Sequence, residues 1–263
     1  MAVLQVNADE LELLVHGGHG HPHAILGPHT NDGTVTVRVF RPLAKTVRVT
    51  YEGDKGKQSV DLDHEYSGIW VGELSVADVP DYRVEVDYGQ GATTRDDPYR
   101  FLPSLGEMDV HLINEGRHEQ LWTVLGSHRH RYEGLGTAPV EGTSFAVWAP
   151  SAKGVRIKGD FNSWDGREHP MRQLGTSGIW ELFVPDVGSG TKYKFLILGA
   201  DGQWREKADP MAFHTETPPA TSSVQVWEDS KTREAVSGAI SAWAAIGSAF
   251  SRQTSSAPRT AYL

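Results

Sequence analysis

The stretch FAVWAPSAKGVRI, residues 145–157, has a second copy at VRVFRPLAKTVRV, residues 37–49. Phe40-Arg41-Pro42 aligns with Trp148-Ala149-Pro150, and Ala44-Lys45 aligns with Ala152-Lys153. The correspondence continues outward: SGIW stands at 67–70 and again at 177–180, and Asp97-Pro98 matches Asp209-Pro210. The offsets are 108, 110 and 112 residues, so the order is kept with small loop differences. Two copies of about 100 residues imply two similar domains rather than a solenoid.

Each copy reads as β-structure. In 34–40, Val35, Val37 and Val39 alternate with Thr36 and Arg38, which predicts an inward and an outward face. Phe145 and Val147, then Val155 and Ile157, repeat that alternation, and Val84, Val86, Tyr88 and Tyr193, Phe195, Ile197 supply later strands. Pro42 and Pro150 end their strands because proline lacks a ladder donor. Trp70, Trp148, Trp180 and Phe183 lie within these strand stretches and are expected in the core. The fold class expected is mainly β, with two tandem immunoglobulin-like antiparallel sandwiches and short helices before and between them. One helix is expected in NADELELLVHG, with Asn7 as cap, Glu10 three residues on and Gly17 as stop. A second is expected in NEGRHEQLWTVLG, with Asn114 as cap and Leu121, Trp122 and Leu125 as an apolar stripe. The domains expected are an N-terminal sandwich over 1–105, a helical linker over 106–134 and a second sandwich over 135–227. Residues 228–263 turn to Ala, Ser and Thr without strand alternation and are expected to be of low order.

The chain has 263 residues, 38% hydrophobic and 22% charged, which suits a globular protein. Its net charge of −9 argues against a general nucleic-acid or anionic-membrane binder. MAVLQVNADELELLVHGG has no basic region ahead of an apolar run, so no signal peptide is predicted, and no apolar run is long enough to predict a transmembrane helix. The absence of cysteine fits a reducing compartment, and a cytoplasmic protein is expected.

No Walker loop, Rossmann glycine pattern, G-x-S-x-G or HExxH motif is present, and nothing alternates strand and helix as a barrel does. No catalytic residue, cofactor or metal is therefore expected. His19, His21 and His23 alternate within HGGHGHPHAILGPH, but Gly and Pro interrupt the run and no Cys or paired carboxylate accompanies it. A polar loop is favoured over a metal site. GDFNSWDG, residues 159–166, has the composition of a turn yet carries Phe161 and Trp164. Trp164 is either a core residue on a tight corner or a platform for a ligand. The corresponding stretch of the first copy, RVTYEGDKG at 48–56, has no Trp, so the fold does not require one there. Downstream, Lys194 lies on a strand and Trp204 follows an Asp-Gly turn. Sugars present an apolar C–H face and a rim of hydroxyls, which an aromatic ring and polar neighbours recognise.

The stretch from FAVWAPSAKGVRIKGDFNSWDG through TKYKF, with KADP at 207–210 and ETPPATSSVQVW at 216–227, resembles the family-48 carbohydrate-binding module of glycogen branching enzymes. HPHAILGPH, DDPYRFLPSLGEMDVHLINEGRHEQLW and the first copy resemble the extra N-terminal sandwich of the longer bacterial, particularly actinobacterial, branching enzymes. The resemblance covers about residues 12–227. It implies an α-1,4-glucan such as glycogen as partner and Trp164, Trp204, Lys194 and Asn162 as binding residues. A similar glycogen-binding domain, in the AMP-activated kinase β subunit, adds an Asn near the final strand, where this chain has Thr221 or Ser222. It further implies a catalytic α-amylase-type barrel as the neighbouring domain in a full-length parent; such a barrel needs at least about 200 residues. None of that family's barrel segments follows Trp227, so a truncated or frame-shifted product with a non-native tail after about Lys231 is expected. The expected function is non-catalytic glucan binding; the alternative is a docking module whose exposed aromatics pack on the barrel.

Overall fold

The computed structural model of the chain describes residues 3–53, 56–133 and 139–226. The expected low-order tail lies outside the described residues. The first half holds α1 (Ala8–His16) and eight strands: β1 (Gly27–Asn31), β2 (Thr34–Phe40), β3 (Thr46–Gly53), β4 (Gly56–Asp61), β5 (Asp63–Tyr66), β6 (Ile69–Leu74), β7 (Tyr82–Asp87) and β8 (Ala92–Arg95). After α2 (Glu107–Asn114) come β9 (Gly126–Tyr132), β10 (Val140–Trp148), β11 (Gly154–Gly159), β12 (Arg172–Gln173), β13 (Ile179–Pro185), β14 (Lys192–Leu198), β15 (Trp204–Lys207), β16 (His214–Thr215) and β17 (Ser223–Val224). The first sandwich pairs a sheet ordered β1-β2-β6-β5 with one ordered β4-β3-β7-β8. The second pairs β12-β13-β10-β9 with β11-β14-β17-β16, and β15 joins β14. Every named strand pairing among the described residues is antiparallel.

The sequence repeat is a repeat of hydrogen bonds. Arg41 N donates to Gly68 O at 2.8 Å, and Ala149 N donates to Gly178 O at 2.8 Å. The Trp70 indole donates to Arg41 O at 3.2 Å, and the Trp180 indole to Ala149 O at 3.1 Å. The hydroxyls of Tyr82 and Tyr193 donate to Asp97 and Asp209, the aspartates of the two Asp-Pro pairs. FRP and WAP thus each anchor an SGIW turn, which is why the two motifs recur together.

The N-terminal helix forms where capping predicts it. Asn7 accepts from Asp9 N, and Gly17 closes the helix in the left-handed region. Its buried Leu11 and Leu14 join Phe145, Val155, Ile157 and Trp180 in one core with Phe40, Ile69 and Tyr99. Burying each leucine contributes about 1.5–3 kcal/mol, so α1 ties the first sandwich to the second. A separate core of Val35, Val37, Val39, Val47, Val49 and their neighbours lies within the first sandwich.

Five expectations are corrected. The second helix ends at Asn114 instead of starting there; it begins after Gly106, with Glu107 and Asp109 in its first turn. Gly116, left-handed at φ +67°, breaks it, and Leu121–Thr123 form only a single 3-10 turn. Thr36 and Arg38 do not face solvent; both are fully buried. The N-terminal arm covers them: Leu4 N donates to Thr36, Arg38 donates to Leu4 O, and Glu65 neutralises the guanidinium at 2.8 and 3.0 Å. Trp148 is 58% exposed rather than core, because Val147 takes the inward position at the end of β10. Its indole donates to Ser177 O at 3.1 Å. Tyr88 lies just beyond β7 and is 40% exposed. Also, β9 falls in the stretch read as helical linker and pairs with β10.

The two Asp-Pro aspartates are buried, and burial raises both carboxyls, Asp209 to about 6. An unfolded aspartate ionises near pH 4. Between these values the folded chain keeps a proton that the unfolded chain has released. Stability from this group is therefore full below about pH 4 and falls as pH rises to about 6, by on the order of 2–3 kcal/mol. Asp209→Asn is expected to remove that slope. Urea midpoints at pH 4 and pH 7 check it: equal slopes in the two proteins would contradict the burial.

Candidate functional site

The turn after β11 separates its two aromatics. Phe161 turns inward and stacks on Phe145, with ring centroids 5.8 Å apart. Ser163 and Trp164 follow at φ +52° and +61°. Two consecutive non-glycine residues in the left-handed region cost on the order of 1–3 kcal/mol each and persist only where neighbours impose them. Asn162 imposes them here. Its buried amide accepts from Gly159 N at 2.9 Å and donates to Ile157 O and His169 Nδ1, each at 3.0 Å. Burial holds the His169 imidazole pKa well below its ordinary value, so Nδ1 stays free to accept. The Trp164 backbone N–H donates to Gly159 O at 3.0 Å and its indole to Asp160 Oδ1 at 3.0 Å, which leaves the ring half-buried on the outer surface.

The sheet β11-β14-β15 extends from that ring. Lys158 stands opposite Lys194, Arg156 and Glu206 both oppose Leu196, and Trp204 opposes Leu198. Alternation puts all of these side chains on one face. Two ammonium groups directly opposite would repel; Glu206 pairs with both, bonding Lys158 and lying 3.5 Å from Lys194. The Lys158 hydrogen bond is the main reason the Glu206 carboxyl stays below its ordinary range. Lys194 Nζ also donates to Thr221 Oγ1 at 2.9 Å, and Lys158 Nζ lies 5.8 Å from the Trp164 ring centroid.

Five of the six sequence-predicted residues therefore gather here, Asn162 from beneath the turn and Trp164, Lys194, Trp204 and Thr221 on the face. Ser222 is 7% exposed and its backbone N–H donates to Glu216, so it takes the inward position next to Thr221. Sequence reasoning missed Lys158, Glu206 and Arg156. Strand alternation was a usable signal for the first two. It also places Arg156 on this face, but nothing in the sequence signals its stack on Trp204: the guanidinium lies 4.5 Å from that ring centroid because Nη2 donates to Val15 O, at the end of α1, at 2.8 Å. Burial pushes this guanidinium down to about 10. Gly17 sits against the same ring; a Cβ there would lie 2.7 Å from Trp204 Cζ2. One face of Trp204 is thus taken by a cation–π contact of about 0.5–2 kcal/mol. Arg156→Ala is expected to shift the Trp204 indole N–H resonance; an unmoved resonance would contradict the stack.

The His run is a loop that ends in a single 3-10 turn, Pro22–Ala24, holding His23. His23 is half-buried, its ring edge-on to Tyr99 at 5.0 Å. Among the described residues no group of three or more His, Cys, Asp or Glu is placed to hold a metal ion, and no helix is long and apolar enough to cross a membrane. The arrangement of two indole rings, two ammonium groups, a carboxylate and a hydroxyl on one sheet face can take an apolar C–H surface and the hydroxyls around it.

Two family models match parts of the chain. A model of carbohydrate-binding module 48 (isoamylase N-terminal domain) matches residues 124–212. A model of the alpha-1,4-glucan branching enzyme GlgB N-terminal domain matches residues 7–99. The 1,4-alpha-glucan branching enzyme GlgB of Frankia casuarinae is 57% identical over 218 residues, 82% of this chain and 26% of that protein. The enzymes of that name from Thermobifida fusca and Nocardia farcinica are 53% and 52% identical, over 84% and 87% of this chain and 30% and 31% of their own lengths. The chain spans under a third of the length of these relatives.

Proposed function

Because this chain corresponds to the N-terminal region of the bacterial 1,4-alpha-glucan branching enzymes, the branching-enzyme N-terminal domain followed by a carbohydrate-binding module 48, we propose that it binds α-glucan, glycogen above all, without itself carrying out catalysis. The cytoplasm is the matching location. The observation that carries the reading is the single sheet face holding Trp164, Lys158, Lys194, Glu206, Thr221 and Trp204. A pyranose ring lies on the Trp164 indole, its hydroxyls reach the two ammonium groups and Glu206, and the chain runs toward the uncovered side of Trp204. A stacked ring contributes about 1 kcal/mol, so Trp164→Ala is expected to weaken glycogen retention in affinity electrophoresis roughly five-fold. The Trp164→Ala, Trp204→Ala double variant weakens it further; unchanged retention of the double variant sinks the stacking face. An iodine-stain branching assay of the chain alone is expected to be negative.

A second reading, a docking module, is favoured by Trp148. It is exposed beside an apolar pocket of about 410 Å³ whose lining includes Ile113, Leu121, Leu125 and Met211. In a protein of the relatives' length, the catalytic barrel is the proposed occupant. Under this reading the isolated chain self-associates through the patch and Trp148→Ser abolishes that association in sedimentation velocity, with glycogen retention absent throughout.

A further inference from the structure

A cleft of about 490 Å³ opens between the two sandwiches, within the size range of small-molecule sites. At its base lies Arg41, 5% exposed. Arg41 is held there by the repeat itself, since its backbone closes the SGIW turn of the first copy. Its Nη1 donates to Phe40 O at 2.8 Å, and Glu168 stands 3.8 Å from its Nε, beyond hydrogen-bond distance. A guanidinium carries five N–H donors, and no further hydrogen bond joins this one to a described residue. Its remaining N–H groups open into the cleft without an acceptor among the described residues, so the cleft offers donors to a partner that accepts. Glu168 faces the same space, with one oxygen taking the Tyr88 hydroxyl at 2.6 Å. That bond holds the ring of Tyr88, 40% exposed, along the wall. At one end Arg95 crosses between the sandwiches to Phe161 O at 2.7 Å, and Ser163, the neighbour of Trp164, lines the rim.

The chemistry of the wall selects the ligand. Of its other acids, Asp96 pairs with Arg83 at 3.1 Å and Asp165 with Arg167 at 2.6 Å, while Asp186 has no ion pair among the described residues, so that Arg41 and Arg95 balance Glu168 and Asp186 along the lining. Charges balanced in this way attract no net ion; they offer donors and acceptors side by side. A hydroxyl group both donates and accepts, so a neutral polyol satisfies Arg41 and Glu168 together. A polyol that also has an apolar C–H face for Tyr88 is a pyranose. We infer that the cleft is a second α-glucan subsite, separate from the Trp164–Trp204 face, in which Tyr88 stacks on a sugar ring and Arg41 and Glu168 bind its hydroxyls. The glucan identity rests on the reading in the preceding section; the site does not depend on the tryptophans.

Maltotriose is the probe, titrated by calorimetry and by NMR into the full chain. The Trp164→Ala, Trp204→Ala variant is expected to retain binding, and adding Tyr88→Ala to weaken it about ten-fold or more. Glu168→Gln, which keeps the shape but loses the charge, is a second variant should Tyr88→Ala fail to fold. Binding in the wild type that vanishes in the double-tryptophan variant overturns the subsite and leaves the face intact. Binding that ignores both tryptophans but falls with Tyr88 supports the subsite and overturns the face. Sorbitol moving the Tyr88 and Arg41 resonances as strongly as maltotriose overturns pyranose recognition, and no binding by any form overturns both sites.

Discussion

Gly178→Ala is expected to destabilise the second sandwich by about 3 kcal/mol, the sum of a left-handed backbone and a steric overlap. Gly178 sits at φ +75° in the SGIW turn, and a Cβ there would lie 2.6 Å from Pro150 Cβ and 2.7 Å from Pro150 Cα. Neither atom can yield cheaply, because Ala149 N is fixed to Gly178 O and the Trp180 indole to Ala149 O. For a protein of this size the loss corresponds to a fall in Tm of roughly 6–12 °C, measured by calorimetry. Gly68→Ala is expected to behave alike, since its Cβ would lie 2.3 Å from Pro42 Cα. Gly175→Ala is the control: φ is +57° but nothing lies within 4 Å, so only the backbone cost remains. Equal Tm values for Gly175→Ala and Gly178→Ala would show that the proline contact is not what reserves the position for glycine.

Asn162→Ala is expected to cost about 3 kcal/mol and to weaken glycogen retention as far as Trp164→Ala does. Three hydrogen bonds vanish inside the turn, leaving Gly159 N–H, Ile157 C=O and His169 Nδ1 without their partner. Each buried group left unpaired costs about 1–3 kcal/mol, and entering water offsets part of the total. Without the amide, the bonds of Trp164 to Gly159 O and Asp160 Oδ1 alone must hold the left-handed pair, and the ring is expected to leave the sheet face. Asn162→Asp keeps the acceptor for Gly159 N–H but loses both donors, so it should fall between. Stability is read from urea unfolding and retention from affinity electrophoresis well below the Tm. A variant that loses stability but keeps full retention would show that the turn does not set the position of Trp164.

Much of this molecule was legible in its residues because the signals are local. Period-two alternation marks Val35, Val37 and Val39, and Phe145 and Val147; Pro42 and Pro150 stop their strands; Asn7 and Gly17 bound α1. The paired FRP/SGIW and WAP/SGIW motifs declared two copies of one sandwich, and each pair proved to be joined by the same hydrogen bonds. Strand alternation likewise allows Lys194 and Trp204 to share a face with Trp164. Tertiary structure alone decided the rest. Arg38 has the pattern of a surface residue and is buried because Leu4 and Glu65 reach it. Trp148 has the pattern of a core residue and is exposed at the end of its strand. Trp204 looks like a free platform, yet Arg156 covers it through a bond to Val15, 141 residues away. A periodic pattern records which side of its own strand a residue takes, whereas what covers that side comes from elsewhere in the chain, and burial, charge pairing and the shape of a cleft all depend on that cover.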